Sequence, residues 1–167
     1  MTLRYRPIRP TDDLTLDDSF TTATVFAVDQ DPLGFALREV PVDPPLRKVF
    51  PPDDDDLPEE GFVAEDGTIR AFLTLALESW NHRLVIRRVA VAPTHRGQGI
   101  GTRLMDLALD HGRRRDARTA WLETSSVNVP AVRAYRKMGF RLCGLDTTLY
   151  TGTPAEGETA LFLARPI

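Results

Sequence analysis

The chain has 167 residues, 42% of them apolar and 27% charged, which is the profile of one globular domain long enough to bury a sizeable core. No apolar run approaches the ~20 residues that span a bilayer. The first eighteen residues lack an apolar signal stretch, and the lone Cys143 rules out an internal disulfide or a cysteine-based metal site, so a cytoplasmic location is expected. The net charge of −3 hides an asymmetry: residues 1–60 carry 14 acidic and 6 basic side chains (net −8), and residues 81–120 carry 3 and 9 (net +6).

A basic middle suits an anionic ligand, and an acidic front half attracts a cationic one. Two solvated faces of opposite sign would leave the same imprint. Nucleic acid is not expected as a partner, since the basic stretch has almost no interleaved aromatics and the pI is about 5.6.

In chain order, the first 40 residues give weak signals, read as one strand and one helix. Residues 40–61, with six prolines and the run Asp53–Asp56, read as an exposed loop, because prolines block pairing and like charges repel. The run lacks the alternating ligands and closing glutamate of a calcium loop. "GFVAEDGTIRAFLTLAL" then reads as a hairpin turning at Asp66-Gly67. "HRLVIRRVAVAP" is a strand halted by Pro93. In "GTRLMDLALDHGRRR" the period changes, placing Leu104, Leu107, Ala108 and His111 on one helical face. "TAWLETSS" returns to strand. "NVPAVRAYRKMGF" is a short helix with Asn128 as cap, Pro130 in its first turn and Gly139 as its stop. "FRLCGLDTTLY" and "TALFLARPI" close the chain as strands. Strands and helices alternating around a mixed sheet give an α/β or α+β class.

The chemistry concentrates in "RGQGIG", residues 96–101. It follows a buried strand and opens a helix whose first N–H groups have no intrahelical partner. Gly97, Gly99 and Gly101 remove the Cβ atoms that would keep a ligand from those groups, while the helix dipole and Arg96 favour an anion. A phosphate or pyrophosphate is the expected ligand; glycine-rich turn chemistry at a helix start is the plainer explanation. A P-loop needs a lysine before Thr102, and a dinucleotide fingerprint needs a glycine where Leu104 stands. Neither motif is present.

"VAVAPTHRGQGIG" followed by "NVPAVRAYRKMGF" resembles, in order and separation, two motifs of the GNAT N-acetyltransferase superfamily. The resemblance implies a single domain over residues 1–167, built as a mixed, mostly antiparallel twisted sheet flanked by helices. It also implies acetyl-CoA as co-substrate. Backbone groups of Val89 and Val91 would pair with the pantetheine amides like an added strand. Arg96, Gly97, Gln98, Gly99, Ile100, Gly101 and Thr102 would hold the pyrophosphate. Asn128 and Ala131 would line the thiol end, and Tyr135 would bind there and protonate the departing thiolate. Outside the motif, Tyr135 would read as a core-packing residue. Arg133 and Lys137 are candidates for the terminal phosphate, or simple surface charges.

Within the superfamily, "WNHRLVIRRVAV", "WLETSSVNVPAVRAYRKMGF", "GLDTTLY" and "ETALF" are similar to streptothricin acetyltransferase-like proteins. Those proteins place an acidic pair where this chain has Arg87-Arg88. Arginine stays protonated at any working pH, so it accepts no proton and repels a cationic antibiotic. Either another group is the base, or the substrate differs, or the antibiotic function is gone. Glu123 is the leading replacement base, with burial expected to raise its pKa, and Asp146 the second; pairing with an arginine would make Glu123 merely structural. His82, His95 and His111 are scattered, His111 on the apolar stripe, and no metal site follows.

Three functions are in view. The first is acetyl transfer from acetyl-CoA directly to a small-molecule primary amine, without a covalent intermediate. Cys143 is a poor nucleophile, with no histidine near it in sequence. The second is acetylation of a peptide N-terminus or lysine, and the third an acyl-CoA-binding module without catalysis. No membrane partner is expected. Dimers are frequent in the superfamily, but no segment here specifies a homodimer interface.

Overall fold

The computed structural model describes residues 2–50 and 60–167. The expected acidic loop at Asp53–Asp56 therefore lies outside the described residues. Strands β1 (Arg4–Pro7), β2 (Phe20–Asp31), β3 (Gly34–Lys48), β4 (Glu60–Glu65), β5 (Ile69–Glu78) and β6 (Arg83–Val91) precede helix α1 (Ile100–Arg114). Strand β7 (Thr119–Ser125), helix α2 (Val129–Lys137), β8 (Arg141–Asp146) and β9 (Ala160–Pro166) follow. Seven strands form one sheet in the order β1-β4-β5-β6-β7-β9-β8, and β2 pairs with β3 in a second sheet. Strands β6 and β7 run parallel, whereas β1–β4, β4–β5, β5–β6 and β8–β9 are antiparallel. The α/β class, with a mixed and mostly antiparallel sheet, is as the sequence predicts.

The chain clusters into two compact units: Met1–Asp18 with Phe50–Leu122 and Arg165–Ile167, and Ser19–Val49 with Glu123–Ala164. In the first unit, α1 packs on β4, β5 and β6. Its buried stripe is Ile100, Leu104, Met105, Ala108, Leu109 and Gly112. That stripe is rotated slightly from the expected one, so His111 sits at its margin, edge-on to the Phe62 ring at 6.0 Å.

The segment between β1 and β2 is a strap without regular structure. Ile8, Leu14 and Leu16 pack on a cluster of Val63, Phe72 and Ala90. At its start, Arg6 donates to Asp12 (2.6 and 2.9 Å) and to Glu65 (2.9 and 2.6 Å). Arg6 and Asp12 are each only 9% exposed, so the pair is held in low dielectric. Removing one partner of a buried pair strands the other charge, and Arg6→Ala is expected to cost about 2–3 kcal/mol in chemical denaturation. The Arg6 hydrogen bonds hold the Asp12 carboxyl below its usual range. A depressed folded-state value means stability that is complete above the ordinary aspartate range and is lost as pH falls through the folded value. The Arg6→Ala deficit should therefore shrink on acidification; a deficit constant between pH 7 and pH 3 contradicts this account.

In the second unit the expectation of an N-terminal helix fails. Residues 20–48 form a long hairpin, with Asp31 opposite Gly34 across the turn and α2 packed on β2. Nine residues of the supposed proline loop, 40–48, belong to β3. Pro41 pairs opposite Thr24, and the register then jumps to Leu46 opposite Thr22, so Pro44 and Pro45 fall within the irregularity. A two-stranded sheet tolerates proline because each strand has an unpaired side where the missing N–H costs nothing.

Candidate functional site

In the first unit, the site begins with a change of pairing along β6. Parallel pairing to β7 runs only from Arg83–Thr119 to Ile86–Leu122. Pairing to β5 continues to Val91 but slips at the same place: Leu75 opposes Ile86 and Thr74 opposes Arg88, leaving Arg87 as an extra, exposed residue. Bulges of this kind end pairing and re-aim a strand. The Ala92 N–H donates to the Arg70 carbonyl at 2.8 Å. Antiparallel alternation then turns residues 88 and 90 towards β5, and the N–H and C=O groups of Val89 and Val91 towards the other edge. That edge is a template for an extended amide-bearing chain.

After a 3-10 turn at Pro93–His95, the chain enters the glycine loop. Gly97 (φ 74°) and Gly99 (φ 77°) are left-handed, and Gly99 caps α1. A Cβ at either position would meet nothing within 4 Å, so conformation, not crowding, demands glycine there. The Arg103 N–H donates to the Gly99 carbonyl. The N–H groups ahead of it begin a helix with no side-chain cap and no acidic residue in the first turn. Dipole and donors are thus unopposed, which favours an anion. Gly101 has a helical φ, and a Cβ there makes only ordinary contact with Val91 Cγ2 at 3.8 Å. We expect Gly101→Ala to leave stability unchanged or slightly raised while weakening acetyl-CoA binding by about tenfold in calorimetry. Equal affinity in the two proteins would remove Gly101 from the site.

The other loop residues are placed less simply. Ile100 is buried at 4% exposure, so only its N–H is available to a ligand. The Gln98 side chain donates to the Thr94 carbonyl, and Thr102 is exposed. Arg96 Nε donates to the Val91 carbonyl at 2.9 Å and Nη2 to the Asp17 carbonyl at 3.1 Å. Its guanidinium thus bonds two backbone carbonyls. Arg88 Nη2 donates to Asp18 Oδ2 at 2.9 Å, and its guanidinium carbon lies 5.1 Å from the Phe72 ring centre.

In the second unit, Asn128 caps α2 by accepting from the Ala131 N–H at 3.2 Å, so that N–H is spent locally. Tyr135 packs edge-on to Phe140, with ring centres 5.9 Å apart. Among the described residues its hydroxyl has no hydrogen-bond partner. Burial pushes its pKa up to about 12, so the phenol keeps its proton. Glu123 is exposed, contrary to the expected burial, because its position in β7 points it out of the core. Its Oε1 accepts from the Tyr150 hydroxyl at 2.7 Å. Tyr150 is held protonated by burial and by that hydrogen bond. No arginine pairs with Glu123 among the described residues.

Asp146 is spent on a turn. It accepts from the Thr148 hydroxyl and N–H and from the Leu149 N–H, which hold its carboxyl below the usual range. Glu158 bonds Lys48 and Ser125. Arg133 is paired with Glu39 on β3, whereas Lys137 is an exposed residue of the last turn of α2. Among the described residues no cluster of three metal-ligating side chains occurs. Tyr150 and Asp18 are the residues that sequence reasoning missed. The first sat inside a motif without an assigned role, and the second lies 70 residues from its arginine.

In the first unit, the outward edge of β6 runs into an uncapped, glycine-lined helix start, an arrangement suited to an extended amide-bearing chain that ends in an anion. The Acetyltransferase (GNAT) family matches residues 35–140, and the chain belongs to that family as an N-acetyltransferase. Streptothricin acetyltransferase of Streptomyces lavendulae is 49% identical, covering 99% of this chain and 95% of its own. The E. coli streptothricin acetyltransferase is 31% identical over 97% and 94%. Among solved structures, a nourseothricin acetyltransferase superposes with a TM-score of 0.92 at 50% identity, covering 99% of both chains. In fold alone, a Bacillus anthracis putative streptothricin acetyltransferase in complex with acetyl coenzyme A matches with a TM-score of 0.83 at 23% identity, over 99% of this chain and 100% of that one.

Proposed function

We propose that this enzyme moves an acetyl group from acetyl-CoA directly to a primary amine of a streptothricin-type antibiotic. The observation that carries the cofactor half is the outward-facing backbone of Val89 and Val91 running into an uncapped, glycine-lined helix start. The 49% identity to a streptothricin acetyltransferase over nearly both full lengths carries the acceptor half.

Val89 and Val91 hold the pantetheine arm, and the N–H groups from Gly97 to Thr102 hold the pyrophosphate. Arg96 fixes the loop through its bonds to the Val91 and Asp17 carbonyls. Asn128 and Ala131 shape the turn at the thiol end. Glu123 takes the proton from the substrate ammonium, and Tyr150 holds that carboxylate in place. The freed amine nitrogen forms its bond to the thioester carbonyl carbon, and the carbon–sulfur bond breaks. Tyr135 gives its phenolic proton to the thiolate, while the acetylated nitrogen releases its second proton to solvent, from which the phenolate is reprotonated. These steps need no metal and no covalent enzyme intermediate.

Arg87-Arg88 is compatible with a cationic substrate, because Arg88 is matched by Asp18 and only Arg87 projects as an exposed cation. With a small-molecule acceptor and a single cysteine, the same reading places the enzyme in the cytoplasm, with neither membrane nor nucleic acid as partner. The test is CoA-thiol release from acetyl-CoA across streptothricin, polyamines, aminoglycosides and short peptides. Turnover confined to streptothricin is expected. A preference for peptides overturns the acceptor assignment, and binding of acetyl-CoA with no turnover on streptothricin overturns the reaction.

A further inference from the structure

The connection between β8 and β9, residues 147–159, has no regular structure, yet it is fastened to the end of β7 at two places, all within the second unit. Near its start the Tyr150 hydroxyl donates to Glu123. At its end the Ser126 N–H donates to the Thr159 carbonyl at 2.8 Å, and the Thr159 N–H donates to Ser126 Oγ at 3.0 Å. Those two bonds alone close the loop. One residue earlier the chain adds an ion pair: Glu158 takes Lys48, the last residue of β3, on one oxygen and the Ser125 hydroxyl on the other. Lys48 and Glu158 are only 14% and 15% exposed, and burying a charge pair costs desolvation that a neutral contact avoids. Loop closure therefore does not explain the pair. The contact falls on Ser125, two residues beyond Glu123, and side chains two apart share one face of a strand. Tyr150 and Glu158 thus meet neighbouring positions of that face. They are close enough that, after burial and the bond to Glu123, the Glu158 charge also raises the Tyr150 pKa.

We propose that Glu158, anchored by Lys48, is a positioning residue for Glu123: it pins the β8–β9 connection along β7 so that the Tyr150 hydroxyl is held against the Glu123 carboxylate. This rests on the reading of Glu123 as the base. Glu123 is exposed, and a free glutamate side chain there would keep most of its rotamer freedom. One hydrogen bond from a loop residue orients it only as well as the loop itself is held. Within the connection the turns follow one another: the Thr153 N–H donates to the Tyr150 carbonyl, Glu156 to Thr153 and Glu158 to Ala155. A hold at Glu158 is therefore passed back along the chain to Tyr150. Lys48 pairs opposite Phe20 at the base of the hairpin, so the connection is tied to a sheet and not to another loop.

The test uses the full chain with Glu158→Gln, Tyr150→Phe and the two combined. Hydrogen exchange read by mass spectrometry should accelerate about tenfold over residues 148–157 in Glu158→Gln. The kcat for streptothricin acetylation should fall about fivefold in either single variant and no further in the combined one, because the two residues act in series on one carboxylate. KM for streptothricin and Kd for acetyl-CoA should each move less than about twofold. The neutral pair Lys48→Met with Glu158→Gln leaves no buried charge alone; it should show the same exchange and the same loss, and it serves where Glu158→Gln does not fold. Unchanged exchange overturns the pin. Faster exchange with kcat retained, or with losses that multiply in the combined variant, overturns the positioning of Glu123 and leaves a structural ion pair. Exchange is read without turnover, so a wild type that binds streptothricin but fails to acetylate it sinks the proposed reaction and not the pin.

Discussion

Replacing Tyr135 with phenylalanine is expected to lower kcat for amine acetylation by about a hundredfold or more, the range typical of a lost general acid, with little change in acetyl-CoA affinity. The Tyr135 ring is held by Phe140 and its hydroxyl bonds to no protein group. Deleting the oxygen therefore breaks no internal hydrogen bond and opens no cavity, so stability should be unchanged or slightly raised. The pH profile separates the acid role from a packing role. With a pKa pushed up to about 12, Tyr135 remains protonated throughout the working range and imposes no alkaline limb below that value. Wild-type rate should rise with pH and then stay level to pH 10, and Tyr135→Phe should run parallel but far lower. A fall in wild-type kcat centred near pH 9, or a Phe variant of undiminished rate, contradicts the assignment.

How much of this was legible in the sequence depends on how far apart the interacting residues lie. The glycine loop, the Asn128 cap and the Gly139 stop are local devices, written in adjacent residues, and they appear where the spacing puts them. The far strand of the hairpin over residues 20–48 was hidden because β3 carries Pro41, Pro44 and Pro45, and proline signals a loop wherever a strand has two neighbours. In a two-stranded sheet that rule weakens, and Pro41 simply pairs opposite Thr24. The role of Arg88 was misjudged for a different reason. Its charge was plain, but charge in isolation predicts repulsion, and the partner that cancels it comes from the other end of the unit's sequence. For Glu123 the sequence leaves open a free base and an arginine-paired structural carboxylate, and its exposure and its Tyr150 anchor follow from tertiary contacts that no local pattern encodes.

The second large effect is expected at that carboxylate. Glu123→Gln keeps the shape and retains an oxygen that accepts from the Tyr150 hydroxyl, but it removes the group proposed to take the ammonium proton. At neutral pH the amine is almost wholly protonated, so turnover should fall by about a hundredfold, within the usual range for a general base. The deficit should then narrow steadily as pH rises, because more of the amine arrives already deprotonated and needs no help. Tyr150→Phe serves as the control for positioning: it removes the 2.7 Å bond but leaves the carboxylate, and a loss of about fivefold is expected, with the shape of the profile preserved. A Glu123→Gln deficit that is flat from pH 6 to pH 10 would mean that the carboxylate orients the substrate and that the proton leaves by another route. Since Asp146 is committed to its turn and Glu158 to Lys48 and Ser125, that route would have to be solvent, and the enzyme would then act chiefly by holding amine and thioester together.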